Sequence, residues 1–196
     1  MGSFYHVYNR GVDKKIIYKN DKDRLRFIGG MESFNASKKA ERMSDKFVDV
    51  ICFCLMPNHF HLLLRCKEPN GITNFMRRLS TGYTMYFNKK YDRQGVLFES
   101  NYKFIEIENE DYLLQLSRYI HLNPLSLVEP RWKDEGIGDF KKAFDFLKEY
   151  KWSSLPEYLN NNVSTGIVDR DLLLQTIGGV ERYEEFMRAW DPRKIV

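Results

Sequence analysis

Apolar and polar positions alternate along "SFYHVYNRG", the period-2 pattern of a half-buried strand over residues 3–9. A loop carrying Lys14 and Lys15 follows. Asn20 or Asp21 can cap a helix whose apolar positions Leu25, Phe27, Ile28 and Met31 run to a polar end near residue 43, with Gly29 and Gly30 as weak points. "KFVDVICFCLM" and "HFHLLLR" are β-rich runs separated by Pro57 and Asn58, which predicts a hairpin with a tight connection. "GITNFMRRLSTGYTMYFNKKY" returns to helical spacing at Ile72, Phe75, Leu79, Tyr83, Tyr86 and Phe87, and "GVLFESNYKFIEIE" reads as extended. From Asn109, an Asn cap, acidic residues in the first turn and Leu113, Leu116 and Ile120 along one face predict a third helix, which Pro124 discourages from continuing.

The order strand, helix, strand, strand, helix, strand, helix predicts an α+β fold, an antiparallel sheet with packed helices of ferredoxin-like or RRM-like kind, over residues 1–130. Beyond Pro130 the pattern turns helical, acidic and aromatic, so residues 131–196 read as an appended helical extension, with "SSLPEYLNNNVSTG" as a linker or loop within it. No internal repeat or low-complexity tract interrupts the chain.

At 196 residues the chain suits one well-buried core plus an appendage. With 43% apolar and 30% charged residues and no stretch near the roughly 20 apolar residues of a membrane helix, it is expected to be soluble, with no membrane partner. The N-terminus lacks the pattern of a secretory signal, and three cysteines, an odd number, argue against a disulfide framework, so a cytoplasmic location is expected. Charge is unevenly spread: residues 1–105 carry 19 Lys+Arg against 10 Asp+Glu, net +9, and residues 106–196 carry 12 against 17, net −5. A basic half makes nucleic acid the first partner to consider, against the plainer reading of a solvated surface.

The candidate chemistry begins at "LMPNHFHLLLR". On a strand, residues i and i+2 project from one face, so His59 and His61 point the same way and can share an ion, though a metal site needs a further ligand. Cys52 and Cys54 on the preceding strand are one source, giving a zinc site. A two-residue connection sets Cys54 opposite His61, whereas a three-residue one turns both cysteines away, and buried cysteines are commonly only small apolar packers. A second source is "LSRYIHLNP", where Tyr119 and Asn123 are four apart and share a helical face, although Pro124 pushes Asn123 toward extended backbone. That set suits phosphodiester transfer: Mg2+ or Mn2+ held by His59, His61 and the Asn123 oxygen, with Tyr119 attacking phosphorus.

"MPNHFHLLL", followed some sixty residues later by "RYIHLNPL", resembles the HUH single-tyrosine transposases, specifically the REP-associated tyrosine transposases. "YHVYNRG", "FNKKYDRQGVLFESNYKF" and "YKWSSLPEYL" resemble further stretches of that family in the same order, so the resemblance covers most of residues 4–159. It implies an HUH nuclease core over residues 1–130 that cleaves single-stranded DNA near hairpins with Mg2+ or Mn2+, leaving a 5′-phosphotyrosine and a free 3′-hydroxyl. By position, His59 and His61 match the family's metal ligands, Tyr119 its nucleophile and Asn123 its additional metal-site residue. Where the family often continues Asn-Pro with a basic segment, this chain has Ser126. The family works as monomers or homodimers, and nucleoid association follows from its DNA partner.

Around these residues, His121 points about 200° away from Tyr119 on the helix and reads as a surface or packing residue, and His6 as structural. Arg65 shares the parity of the histidines. Together with Arg77, Arg78, Lys89, Lys90, Arg93 and Lys103, interleaved with aromatics, it has the composition of a single-stranded DNA track. Two other functions fit the same features: an idle nucleic-acid-binding relative, and a small metallohydrolase that uses the histidine pair with an activated water. A (β/α)8 hydrolase is excluded by length and by only four histidines.

Overall fold

The alternating segment at the start of the chain forms β1, Phe4–Arg10, in a computed structural model that describes residues 2–35 and 46–191. The first helix, α1, is Asp21–Ser33, closed by a reciprocal capping box between Asn20 and Asp23. The stretch from residue 36 to its expected end near 43 lies outside the described residues. Gly30 is a packing site rather than a weak point, since a Cβ there would stand 2.9 Å from Leu79 Cδ1 on the neighbouring helix. The hairpin is β2, Val48–Met56, and β3, His59–Cys66; α2 is Gly71–Lys90 and β4 is Lys103–Ile107. Only the end of the segment expected to be extended pairs into the sheet. α3, Glu110–Leu122, begins where Asn109 Oδ1 accepts from the Tyr112 N–H at 2.7 Å.

All strand pairs are antiparallel, in the order β2-β3-β1-β4. With one helix in each crossover this is the ferredoxin-like β-α-β-β-α-β arrangement expected from the element order. One face carries Val7, Phe60, Leu62 and Leu64 into a core with Phe27 and Met31 of α1 and Phe75, Leu79 and Tyr83 of α2. A bulge between Val50 and Cys52 shifts the parity of β2, which directs Val50, Phe53 and Leu55 all to that core. Cys52 and Cys54 thereby face the opposite side with Leu63 and the histidines.

That opposite face is covered by α3 and by the segment expected as an appendage, which folds as α4, Trp132–Glu135, α5, Phe140–Glu149, α6, Leu155–Leu159, α7, Asp171–Ile177, and α8, Val180–Arg188. Trp132, Phe144, Leu147, Leu155, Tyr158, Leu173, Tyr183 and Met187 are buried in one cluster with Leu116 and Ile120 of α3 and Met56 and Leu63 of the sheet. At about 1.5–3 kcal/mol per buried large side chain, their removal would cost as much as a typical domain's entire stability of 5–15 kcal/mol. The extension therefore belongs to the core.

The linker reading fails at its first half. Ser153, Ser154, Leu155 and Tyr158 are buried, Leu55 N donates to Trp152 O at 2.8 Å, and Ser154 N donates to Phe53 O at 3.0 Å. This segment covers the outer edge of β2, which would otherwise present unpaired backbone groups. No described helix is long and apolar enough to cross a membrane.

Candidate active site

Pro57 and Asn58 alone join β2 to β3, so Met56 pairs with His59 and Cys54 with His61. The loop after β1 holds this turn from outside. Gly11 N donates to Asn58 O at 2.8 Å, Ile17 N and Tyr18 N donate to Pro57 O at 2.9 and 3.2 Å, and Asn58 Nδ2 donates to Lys14 O at 3.1 Å. Only glycine permits that approach, because a Cβ on residue 11 would fall 2.2 Å from Lys15 O.

The clamp fixes the side chain of Asn58, and through it His59. His59 Nδ1 lies 2.7 Å from Asn58 Oδ1 and Nε2 lies 3.3 Å from Asn123 Oδ1. Burial lowers the pKa of His59 and outweighs the contact with Asn123, which raises it, so the ring is neutral and carries one N–H. The shorter contact, to Asn58, takes that proton. Two acceptors, the Nε2 lone pair and Asn123 Oδ1, are then left facing each other. His61 projects from the same face, its ring 5.1 Å from that of His59 and nearly perpendicular to it. Its Nδ1 meets His6 Nε2 at 2.9 Å. Burial holds the pKa of His61 well below its ordinary value and brings His6 down to about 4, so both are neutral. A His61 that donates from Nδ1 keeps its Nε2 lone pair free. Tyr8 stacks alongside, its ring 4.8 Å from His6 and 5.8 Å from His61.

α3 brings the remaining groups. Asn123 keeps helical backbone angles, φ −53° and ψ −37°, instead of the extended ones its following proline favours. Pro124 opens a 3₁₀ turn over Asn123–Leu127, where its missing N–H leaves nothing unsatisfied. The i, i+4 relation is intact. The Tyr119 ring lies edge to face against His61 at 5.7 Å, and Lys133 Nζ donates to its hydroxyl oxygen at 2.9 Å. Asn123 is 1% exposed and its Nδ2 has no partner, leaving a buried amide only half satisfied. His121 turns the other way and packs: Nδ1 meets the Tyr183 hydroxyl and Nε2 the Ser154 hydroxyl, each at 2.8 Å. Ser126 accepts from the Trp132 indole at 3.0 Å, which anchors α4 beside the tyrosine.

This donor set fits a divalent cation. Two neutral imidazoles and an amide oxygen that faces one of them are lone-pair donors that an ion of intermediate hardness would accept. Among the described residues no three His, Cys, Asp or Glu side chains group as a metal site, so the amide is essential to the set. The zinc alternative does not assemble. Cys52 and Cys54 lie in the apolar cluster, and burial pushes both thiols up, against the thiolate a metal requires. Two clefts adjoin His61 and Tyr8. One of about 570 Å3 extends over Tyr112, Gln115, Tyr119 and Trp190, and one of about 350 Å3 over Arg10, His59, Glu99 and Lys103.

The expected DNA-track cations are scattered. Lys103, exposed on β4 with its Nζ 5.9 Å from the Tyr8 ring, stands at the second cleft. Arg65 does not: its guanidinium is bound to Asp49 at 2.7 Å and Asp169 at 2.8 Å, tying the extension to the sheet. Arg77, Arg78, Lys89 and Lys90 lie on α2, across the sheet from the histidines, and Arg93 follows that helix. Lys90 pairs with Asp23 at 2.6 Å, Arg93 donates to Asn88 Oδ1 and Val96 O, and Arg78 covers the Phe47 ring at 4.8 Å, leaving Arg77 and Lys89 exposed.

The family model for IS200-like transposases matches residues 14–123, more than half of the chain and the span from the β1 loop to Asn123. This chain belongs to that family. Among solved structures, the IS200-like chain is similar to a REP-associated tyrosine transposase bound to a REP hairpin, with a TM-score of 0.55 at 12% identity, over 87% of this chain and 84% of that one. The likeness extends the shared fold through most of α4–α8. No curated protein matches.

Within this transposase fold, sequence reasoning misses two residues that touch the candidate site. His6 reads as structural and does hold His61, a role that its parity on β1 signals. Asn58 reads only as a turn residue. Lys133 sits in a helix assigned to the extension, and nothing in its spacing connects it to Tyr119.

Proposed function

We propose that this IS200-like transposase is a divalent-metal-dependent endonuclease and strand transferase for single-stranded DNA beside hairpins, acting through a covalent 5′-phosphotyrosine at Tyr119. The observation that carries this reading is the meeting of Tyr119 with His61 at 5.7 Å, one helical turn before the Asn123 oxygen that faces His59 at 3.3 Å. The hairpin held by the similar solved structure supports the choice of DNA form.

His59, His61 and Asn123 would hold Mg2+ or Mn2+. What such an ion supplies when bound is polarisation of a phosphate oxygen and countercharge for the transition state. The chain's own residues do the rest. Asn58 and His6 orient the two imidazoles, and α3 presents the Tyr119 hydroxyl to the phosphorus. Its oxygen bonds to phosphorus as the bond to the 3′-oxygen breaks, and the 3′-hydroxyl later reverses the exchange, so no nucleotide cofactor is consumed. Lys103 and Arg10 line the cleft that would carry the flanking strand. Tyr119 and the histidines meet within one chain, which supports a tyrosine that serves its own chain's site.

The test is incubation with labelled hairpin oligonucleotides bearing single-stranded flanks, with Mn2+ or EDTA, followed by denaturing electrophoresis. Label is expected to migrate with the protein for wild type with Mn2+ and to be absent for Tyr119→Phe. DNA binding without any adduct would instead identify an idle binding module. Oligonucleotide cleavage that persists in Tyr119→Phe would identify a metallohydrolase using water.

A further inference from the structure

The hydroxyl oxygen of Tyr119 has one polar partner among the described residues, and it comes from the extension rather than from the sheet. Lys133 Nζ donates to it at 2.9 Å and lies 4.6 Å from the centroid of the same ring and 5.5 Å from that of Trp132. Two aromatic faces and one phenol oxygen thus fix an ammonium that, among the described residues, enters no ion pair.

We propose that Lys133 is a catalytic residue of this centre, its ammonium supplying the countercharge to the Tyr119 oxygen when that oxygen attacks phosphorus and again when it departs. The inference rests on the functional reading above. In cleavage the Oη–P bond forms and the bond from phosphorus to the 3′-oxygen breaks; the phenolic proton passes to water, and the departing 3′-oxygen takes a proton from water. Rejoining reverses each change. Lys133 keeps its own protons throughout, so its contribution is electrostatic and equal in kind in both directions. The same contact explains why α4 is joined to the catalytic helix through Trp132 and Ser126: the nucleophile is completed by the extension.

The test measures single-turnover adduct formation with Mn2+ and a hairpin oligonucleotide, rejoining of the isolated adduct on addition of a 3′-hydroxyl strand, and DNA affinity, in wild type, Lys133→Gln and Lys133→Arg. In Lys133→Gln both rates are expected to fall about 10- to 100-fold together while affinity changes less than about threefold. Lys133→Arg, which keeps the charge, is expected to recover most of the loss. Wild-type rates in Lys133→Gln would overturn the inference, and so would an arginine variant as slow as the glutamine one, since a merely structural contact is not restored by charge. Circular dichroism melting of both variants identifies a loss caused by unfolding, in which case Lys133→Arg alone decides: slowed to the level of an unfolded control despite a native melt, it refutes the role. Absence of adduct from wild type would overturn the functional reading and this inference with it, whereas a wild-type adduct with an unaffected Lys133→Gln would overturn the inference alone.

Discussion

Asn58 Oδ1 lies 2.7 Å from His59 Nδ1, and the amide that presents it is tied by its Nδ2 to Lys14 O. A neutral imidazole that donates to one side offers its lone pair to the other, so Asn58 decides which nitrogen of His59 can meet an ion. Asn58→Ala is expected to weaken Mn2+ binding about 10- to 100-fold, measured by isothermal titration, with little change in DNA affinity. Asn58→Asp keeps the acceptor and is expected to lose less. Equal Mn2+ affinity in wild type and Asn58→Ala would remove Asn58 from the site.

His121 gives a dependence on pH that can be read without any ligand. Burial brings its pKa down to about 3 from 6.5, while the unfolded chain binds a proton near 6.5. Because the native pKa is depressed, the unfolded state holds more protons below 6.5. Stability is therefore fully present above that pH and is lost as pH falls toward 3. The slope is about 1.4 kcal/mol per pH unit for one such group. His6, at about 4, acts in the same sense. Urea unfolding at pH 7.5 and 5.5 should show a loss of at least about 2–3 kcal/mol, the share of these two, because the lowered pKa values of His59 and His61 act in the same sense, with the His121 ring still in its neutral form by NMR at pH 5.5. A ring that titrates near 6.5 in the folded protein would contradict this.

The Tyr183 hydroxyl joins His121 Nδ1 at 2.8 Å and Ser117 Oγ at 3.1 Å, linking α8 to α3. Tyr183→Phe keeps the packing but strands buried polar groups, at a cost of about 1–3 kcal/mol. In a chain of this size that corresponds to a fall of roughly 2–10 °C in Tm. An unchanged Tm would show that α8 is held by apolar contacts alone.

Which parts of this molecule were legible beforehand follows from the range of the interactions concerned. The strands and α1 to α3 are encoded locally, by alternation, by the caps at Asn20 and Asn109 and by the turn at Pro57 and Asn58. The parity of His59 and His61 follows from the strand itself. The hairpin register needed the length of that turn, which clamping by the Gly11 loop sets from a distance. Asn123 stays helical because α3 and the 3₁₀ turn outweigh a local preference. The stretch at 153–166 reads as a linker or loop, and only the docking of its first half on β2 explains why Ser154 and Tyr158 are buried. Arg65 has the parity of the site but meets Asp49 and Asp169 first, one of them 104 residues away. Contacts of that separation leave no periodic trace.

Arg65 and Lys103 therefore separate two roles that composition alone had merged. Arg65→Gln breaks a pair with Asp49, whose side chain is only 10% exposed, and another with Asp169, which anchors the extension. The cost is about 1–2 kcal/mol, moderated by solvent at the half-exposed end and by Lys67, 3.5 Å from the other Asp49 oxygen. DNA affinity should be unchanged, because Nε and Nη2 of that guanidinium are already held by the two carboxylates. Lys103→Gln should leave stability within about 0.5 kcal/mol, as expected of an exposed position, yet weaken single-strand binding, and the slope of log affinity against log salt should shrink by about 0.7, the value for one lost phosphate contact. Fluorescence anisotropy across a salt series, paired with urea unfolding, reads both variants. The reverse pattern, with affinity lost in Arg65→Gln and kept in Lys103→Gln, would place the strand at the far end of the sheet, away from the tyrosine.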